Sequence, residues 1–247
     1  MSALLQAELI KLRTTRTFVA LALIAVATSL LFTVLSSTLT EPSQDSVLTD
    51  VFLSDTSSLF IMILAIVGIS GEWRHRTITS SLLAAPHRLR FLAAKVLAFA
   101  IAGMALSVIV SIAVTITGVT ILEARGLPTP GAGELLSLYA RNALVAALLA
   151  AFGVGIGALV RNQVIAIVGI LLFALAVEPA LIALAPDVGR FTPISGLPTA
   201  ITNVDPDAVG VGGLDVLDPV PALLAMLAWI GALYAAGGAL LQRRDLE

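Results

Sequence analysis

The sequence predicts an all-α, polytopic membrane protein with six transmembrane helices, an N-terminal interfacial helix and both termini on the cytoplasmic side. Three observations carry that expectation. First, 58% of the 247 residues are hydrophobic and 12% are charged, with a mean hydropathy of +1.03, whereas a soluble domain holds roughly 45–50% apolar and about 25% charged residues. Second, charge-free runs occupy residues 17–40, 56–71, 96–122, 142–160, 162–177 and 219–242. They are far longer than the roughly 9–11 residues of a membrane strand and do not alternate polar with apolar. Third, the cations are segregated: Lys11, Arg13, Arg16, Arg74, Arg76, Arg88, Arg90, Lys95, Arg161, Arg243 and Arg244 fall on one side of this topology, and Arg125, Arg141 and Arg190 on the other. Lys and Arg accumulate in cytoplasmic loops, which places both termini inside. No stretch between the spans is long enough for a soluble catalytic domain, so residues 1–247 read as a single transmembrane domain.

In chain order, residues 1–16 carry Leu5, Leu9 and Leu12 at i, i+4 and i+7, with Gln6, Glu8, Lys11 and Arg13 off that stripe. This is the pattern of a short amphipathic helix lying on the inner membrane face. The apolar run that follows exceeds the roughly 7–15 residues of a signal-peptide core, so it is read as a retained first span. The runs at 56–71 and 162–177 would cover only about 24 Å each, so the second helix is expected to begin near Asp50 and the fifth to run through Glu178. Within the fourth span Gly153 and Gly157 form a G-x-x-x-G pair, which favours close helix packing. Residues 186–218 form an external segment in which Pro193, Pro198 and Pro206 forbid one long helix.

Several chemistries are excluded by what is missing. The only lysines, Lys11 and Lys95, follow Ile10 and Ala94, so there is no G-K-[ST] phosphate loop. The only histidines, His75 and His87, lie in the basic loop outside any H-E-x-x-H motif, and there is no cysteine. No catalytic or metal-ligating set is expected, and a net charge of -2 gives no case for nucleic acid. Glu178 is the one acidic residue in an apolar context. It is a proton-carrier candidate, but it lies about 25 Å of helix beyond Arg161 and directly before Pro179, which favours a helix end at the outer interface. Thr28, Ser29, Thr33, Ser107, Ser111, Thr115 and Thr117 supply the remaining span polarity, read first as helix–helix hydrogen bonding, although a path for an amphipathic substrate would look similar.

Residues 72–90 make a longer connection than two antiparallel helices need. Thr77 can cap a short helix on which Ile78, Leu82 and Leu83 cluster, Pro86 ends it, and Arg88 and Arg90 sit at headgroup level. A solvated basic loop would account for the charges; the apolar cluster favours a docking element.

Glu8-x-x-Lys11-Leu-Arg13 before the first span, Gly71-Glu72-x-Arg74-x-x-Thr77-Ile78 with Leu82-Leu83-x-x-Pro86-x-Arg88 and Lys95 between the second and third, and Arg243-Arg244-Asp245 at the end resemble the ABC-2 type permease family, membrane subunits of bacterial ATP-binding-cassette exporters. The resemblance runs along the whole chain. It implies that residues 1–16, with Glu8, Lys11 and Arg13, form an interfacial elbow helix. It implies a coupling helix in which Glu72, Arg74, Thr77, Ile78, Leu82, Leu83 and Pro86 meet a separate ABC ATPase subunit. It further implies short re-entrant or interfacial helices in the external segment, and a second permease subunit in the assembly. No cofactor is expected in this chain, ATP and Mg being bound by the partner. The implied location is the bacterial cytoplasmic membrane, among membrane lipid, and the implied cargo is lipophilic or amphipathic. Two rival expectations are a proton-coupled secondary transporter using Glu178 and a non-transporting membrane scaffold or immunity protein.

Overall fold

The computed structural model describes residues 2–53, 55–74, 88–160, 162–209, 212 and 214–243. The described residues are helical or irregular, with no strand among them. Helix α1 (Ser2–Thr14) turns at Thr15 into α2 (Arg16–Leu39). A short α3 (Val47–Phe52) precedes α4 (Ser57–Arg74); α5 (Arg88–Ala124) and α6 (Ala132–Leu159) follow. Then come α7 (Gln163–Leu172), a π-helical turn (Phe173–Val177), α8 (Glu178–Leu184), two short helices α9 (Pro186–Gly189) and α10 (Gly196–Thr202), a 3-10 turn (Pro206–Val209) and α11 (Pro219–Arg243). Six of these stretches are long and apolar enough to cross a membrane: Arg16–Leu39, Val47–Glu72, Leu89–Ala124, Ala132–Leu159, Gln163–Leu184 and Pro219–Leu240.

Three elements differ from the sequence expectation. The second span is broken between α3 and α4, where the Asp55 carboxylate accepts the Ser57 N–H at 2.8 Å and starts a new helix. Helix α5 reaches back to Arg88; its 37 residues extend about 55 Å, well beyond a hydrocarbon core of about 30 Å. The fifth span runs through Glu178, as its short apolar run implied, but Glu178 is not the helix end that Pro179 suggested. A π turn, in which the Glu178 N–H reaches Phe173 O, absorbs the missing N–H of Pro179, and the helix continues to Leu184.

Helix α6 is the most buried span and lies between α4, α5 and α11. Gly153 and Gly157 make this possible: a Cβ on Gly153 would lie 2.5 Å from Met62 O of α4, and one on Gly157 would collide with Ile69. Around this axis α2, α7–α8 and α11 present Leu23, Phe32, Val164, Leu172, Val220 and Leu224 outward. Apolar outward faces suit helices whose solvent is lipid.

Polar bridges fix the helix register. Ser29 Oγ lies 2.9 Å from Thr56 Oγ1 and accepts the Thr56 N–H at 3.0 Å, joining α2 to the break before α4. Arg125 donates to the carbonyls of Ser37 and Thr40. Arg141, inside α6, donates to Thr202 O at 3.1 Å, and the Tyr234 hydroxyl to Leu89 O at 2.7 Å. Helix α10 is drawn into the bundle: Leu197, Ala200 and Ile201 pack with Met62, Phe152 and Met226.

Candidate functional site: a buried ion-pair cluster

On α1 the packed stripe is Leu5, Glu8, Leu9 and Leu12, at i, i+3, i+4 and i+7. The sequence placed Glu8 on the polar side, but its side chain is 9% exposed. The reason is angular: at 100° per residue Glu8 projects only about 40° from Leu12, so seating the leucines against α5 carries Glu8 inward. Glu72 is buried in the last turn of α4, and Lys95, 1% exposed, lies two turns into α5.

The three segments meet through charge. Lys95 Nζ donates to Glu8 Oε2 at 2.7 Å and to Glu72 Oε1 at 2.9 Å. Lys11 Nζ closes the ring from the outside, at 3.1 Å from Glu8 Oε1 and 2.6 Å from Glu72 Oε1. The Lys95 ammonium also stands 5.1 Å from the centre of the Phe91 ring, a cation–π contact. Two carboxylates and two ammoniums make the cluster neutral, which is what allows it to be buried. Burial alone would raise the Glu8 pKa, but Lys95 and then Lys11 hold it below 4.5. Burial alone would lower Lys11, but Glu72 and then Glu8 hold it above 10.5. At neutral pH Glu8 and Lys11 are therefore fixed in their charged forms, a latch rather than an acid–base pair. Glu72 Oε2 is buried with no partner among the described residues.

Of the residues singled out in the sequence, Glu8, Lys11 and Glu72 are thus brought together. Arg13 is exposed and outside the cluster. Arg74 ends α4, while Thr77, Ile78, Leu82, Leu83 and Pro86 lie outside the described residues. Gly153 and Gly157 serve the α4–α6 contact described above. Glu178 is fully buried in the continuing helix, not at a helix end, and its Oε1 accepts the Ile194 N–H at 2.9 Å, tying α8 to the segment before α10. Two residues were missed. Lys95 was counted with the cytoplasmic-side cations and quoted in the resemblance but given no role, although a lysine within Phe91-Leu-Ala-Ala-Lys95-Val-Leu-Ala was itself a sign of a buried partner. Asp55 was not singled out; its neighbours Thr56, Ser57 and Ser58 were the only hint of a helix start.

No group of three or more metal-ligating side chains occurs among the described residues. Helical architecture and six apolar spans define a multi-pass membrane protein. No protein-family model and no curated protein sequence matches the chain.

Proposed function

We propose that this chain is the membrane-spanning permease subunit of an ABC-2 type exporter in a bacterial cytoplasmic membrane. It moves a lipophilic or amphipathic molecule, and a separate ATPase subunit hydrolyses the ATP. The ion-pair cluster is the observation that best supports this reading. Helices α4 and α5 lead into and out of residues 75–87, and Glu72 and Lys95 join those two helices to each other and to α1. A force applied to that segment by a partner would move three helices as one unit, because separating buried ion pairs strands charges at about 3–5 kcal/mol each. The sequence has no phosphate loop, so this reading assigns ATP hydrolysis and the force it supplies to another chain. Both termini and residues 75–87 lie in the cytoplasm on this reading, from the distribution of Lys and Arg.

The test is co-expression with the cognate ATPase. The purified chain alone should hydrolyse no ATP, and the complex should. Leu82→Asp puts a carboxylate into the sequence's apolar cluster and should weaken or uncouple the complex with membrane insertion unchanged; Ser80→Asp should be milder. Normal ATPase binding and transport by Leu82→Asp would refute a docking role for the segment. The buried Glu178 favours one second reading, a proton-coupled transporter, although its engagement by the Ile194 N–H also suits a structural tether.

A further inference from the structure

Asp55 sits at the break in the second span, and the contacts of the next residue fix its depth. Thr56 Oγ1 donates to Ala25 O at 3.2 Å, and the Thr56 N–H donates to Ser29 Oγ at 3.0 Å. Ala25 and Ser29 lie in the middle of the 24-residue α2, roughly 14–21 Å along the helix from either end. In a hydrocarbon layer of about 30 Å that is close to the midplane. Interrupted spans at this depth are where membrane proteins commonly hold small ions.

The groups around the Asp55 carboxyl are neutral. Oδ1 accepts the Ser57 N–H at 2.8 Å, and Oδ2 lies 2.7 Å from Ser107 Oγ of α5. Helix α2 offers Ala25 and Ser29, and α6 offers Tyr139, a phenol that is neutral at physiological pH. Asp50 of α3 is exposed. No ion pair among the described residues includes Asp55; every one belongs to the Glu8–Lys11–Glu72–Lys95 cluster. There two carboxylates are balanced by two ammoniums, whereas a charge on Asp55 has no counter-ion. A carboxyl in that position is neutralised by taking up a proton.

The two hydrogen bonds suit a carboxylic acid as well as a carboxylate. In the acid, the carbonyl oxygen accepts from the Ser57 N–H and the O–H donates to Ser107 Oγ. The serine hydrogen is then free to turn to a carbonyl of its own helix, as Thr115 Oγ1 donates to Ser111 O at 2.8 Å two turns further along α5. In the carboxylate, the serine hydrogen points the other way and the oxygen–oxygen contact survives. A metal ion fits less well: both carboxyl oxygens are engaged, and no group of three or more metal-ligating side chains occurs among the described residues.

We propose that Asp55 is a proton-binding site: protonated, it joins the broken second span to α5 through Ser107, and release of the proton loosens that junction. In the release step the acid O–H bond breaks, the proton passes to water and the electron pair stays on the carboxyl oxygen. Asp55 is half-buried, which gives water a way to it. The Ser57 hydroxyl, buried without a hydrogen-bond partner, is a spare donor for the charged form. Hydroxyl donors do not cancel the charge, so the carboxylate draws water into the break between α3 and α4. The proposal goes beyond the export reading and does not depend on it.

Infrared spectra of the purified full-length chain in lipid nanodiscs, recorded against pH, separate the carbonyl stretch of a protonated carboxylic acid from carboxylate bands. They need neither ATPase nor transport, so failure of the export reading would not bear on the result. The parent should show a protonated-acid component at neutral pH that is lost on alkaline titration. Asp55→Asn, whose amide supplies the same acceptor and donor, should lose that component and keep the parent's unfolding temperature at neutral pH. Glu178→Gln should retain it, and the exposed Asp45→Asn should match the parent. A spin label at Asp50→Cys on α3 should gain mobility as pH rises, and should stay constant in the Asp55→Asn background. An acid component unchanged by Asp55→Asn, or a label that responds to pH equally with and without Asp55, would overturn the proposal. Marked destabilisation by Asp55→Asn at neutral pH would overturn it too, because the fold would then need the charge, and so would a component that sodium displaces at constant pH.

Discussion

The Lys95 ammonium lies 2.7 Å from the Glu8 carboxylate, across 87 positions of sequence. Neither charge could occupy its place alone. Lys95 is 1% exposed inside a helix of apolar neighbours, and Glu8 sits among the leucines by which α1 seats on α5. Glu72 shares the same ammonium, so the first helix and the helices flanking residues 75–87 are organised around one lysine nitrogen. That geometry turns three separate polar interruptions in the sequence into a single mechanical joint.

Removing one member should therefore cost far more than removing two. Glu8→Gln or Lys95→Met strands a buried charge and should destabilise the protein by about 3–5 kcal/mol. The Glu8→Gln/Lys95→Met pair restores local balance and should fall well short of the sum of the single changes. Thermal unfolding in detergent, run as a double-mutant cycle, measures this; strict additivity would mean that the two groups do not interact.

The joint should also have a pH window. Glu8 titrates below 4.5 in the folded chain, so its contribution is complete above the ordinary carboxylate value and is lost as pH falls through the folded one. Lys11 titrates above 10.5, so its contribution is complete below that value and is lost as pH rises through the folded one. Docking of α1 should be flat across neutral pH and fail at both extremes. The chain has no cysteine, so a single spin label at Arg13→Cys reports α1 mobility cleanly. The acidic release should shrink in Glu8→Gln; an unchanged acidic limb would assign the release to another group.

The spans were legible because lipid tolerates few charges, so every charge-free run marks a helix. Their ends were not. Lys95 and Arg141 lie inside long helices because each finds a specific partner, Glu8 and Glu72 for one and Thr202 O for the other. Hydropathy cannot foresee such partners. The motif residues Glu8, Lys11 and Glu72 were picked out by the family resemblance, but their meeting depends on how α1 is rotated about its axis. Leucine periodicity leaves that rotation undetermined by a few tens of degrees, enough to move Glu8 from water to core. Asp55 was hidden for a different reason: a broken span looks like a slightly short one until the backbone is seen.

Glycine substitutions on α6 should separate backbone contact from helix propensity. At Gly153 an added methyl meets the Met62 carbonyl of α4, a backbone atom that cannot rotate away. Gly153→Ala should lose about 1–3 kcal/mol, as overpacking typically does. Gly169 of α7 has nothing within 4 Å of the same position, so Gly169→Ala should be neutral or gain up to about 1 kcal/mol from helix propensity. Equal effects at both positions, measured by unfolding of matched preparations, would show that α4 and α6 do not pack on this glycine face.

Glu178 gives the sharpest separation between tether and proton carrier. Its Oε1 accepts the Ile194 N–H, and an amide oxygen at the same position accepts that bond equally well. Glu178→Gln should therefore leave folding, transport and the pH dependence of transport close to the parent, since it removes charge but keeps the link between α8 and the segment leading into α10. Glu178→Leu removes the acceptor and leaves a peptide N–H unpaired at about 1–3 kcal/mol; it should speed hydrogen exchange at Ile194 and through α10. A proton carrier gives the opposite pattern. Glu178→Gln would then abolish coupled transport with expression and folding intact, because no neutral residue can pick up and release the proton. Transport measured against pH in proteoliposomes, alongside exchange at Ile194, decides between them: loss of transport in Glu178→Gln with normal exchange protection would shift the energy source from a partner's ATP to protons moving through this carboxylate.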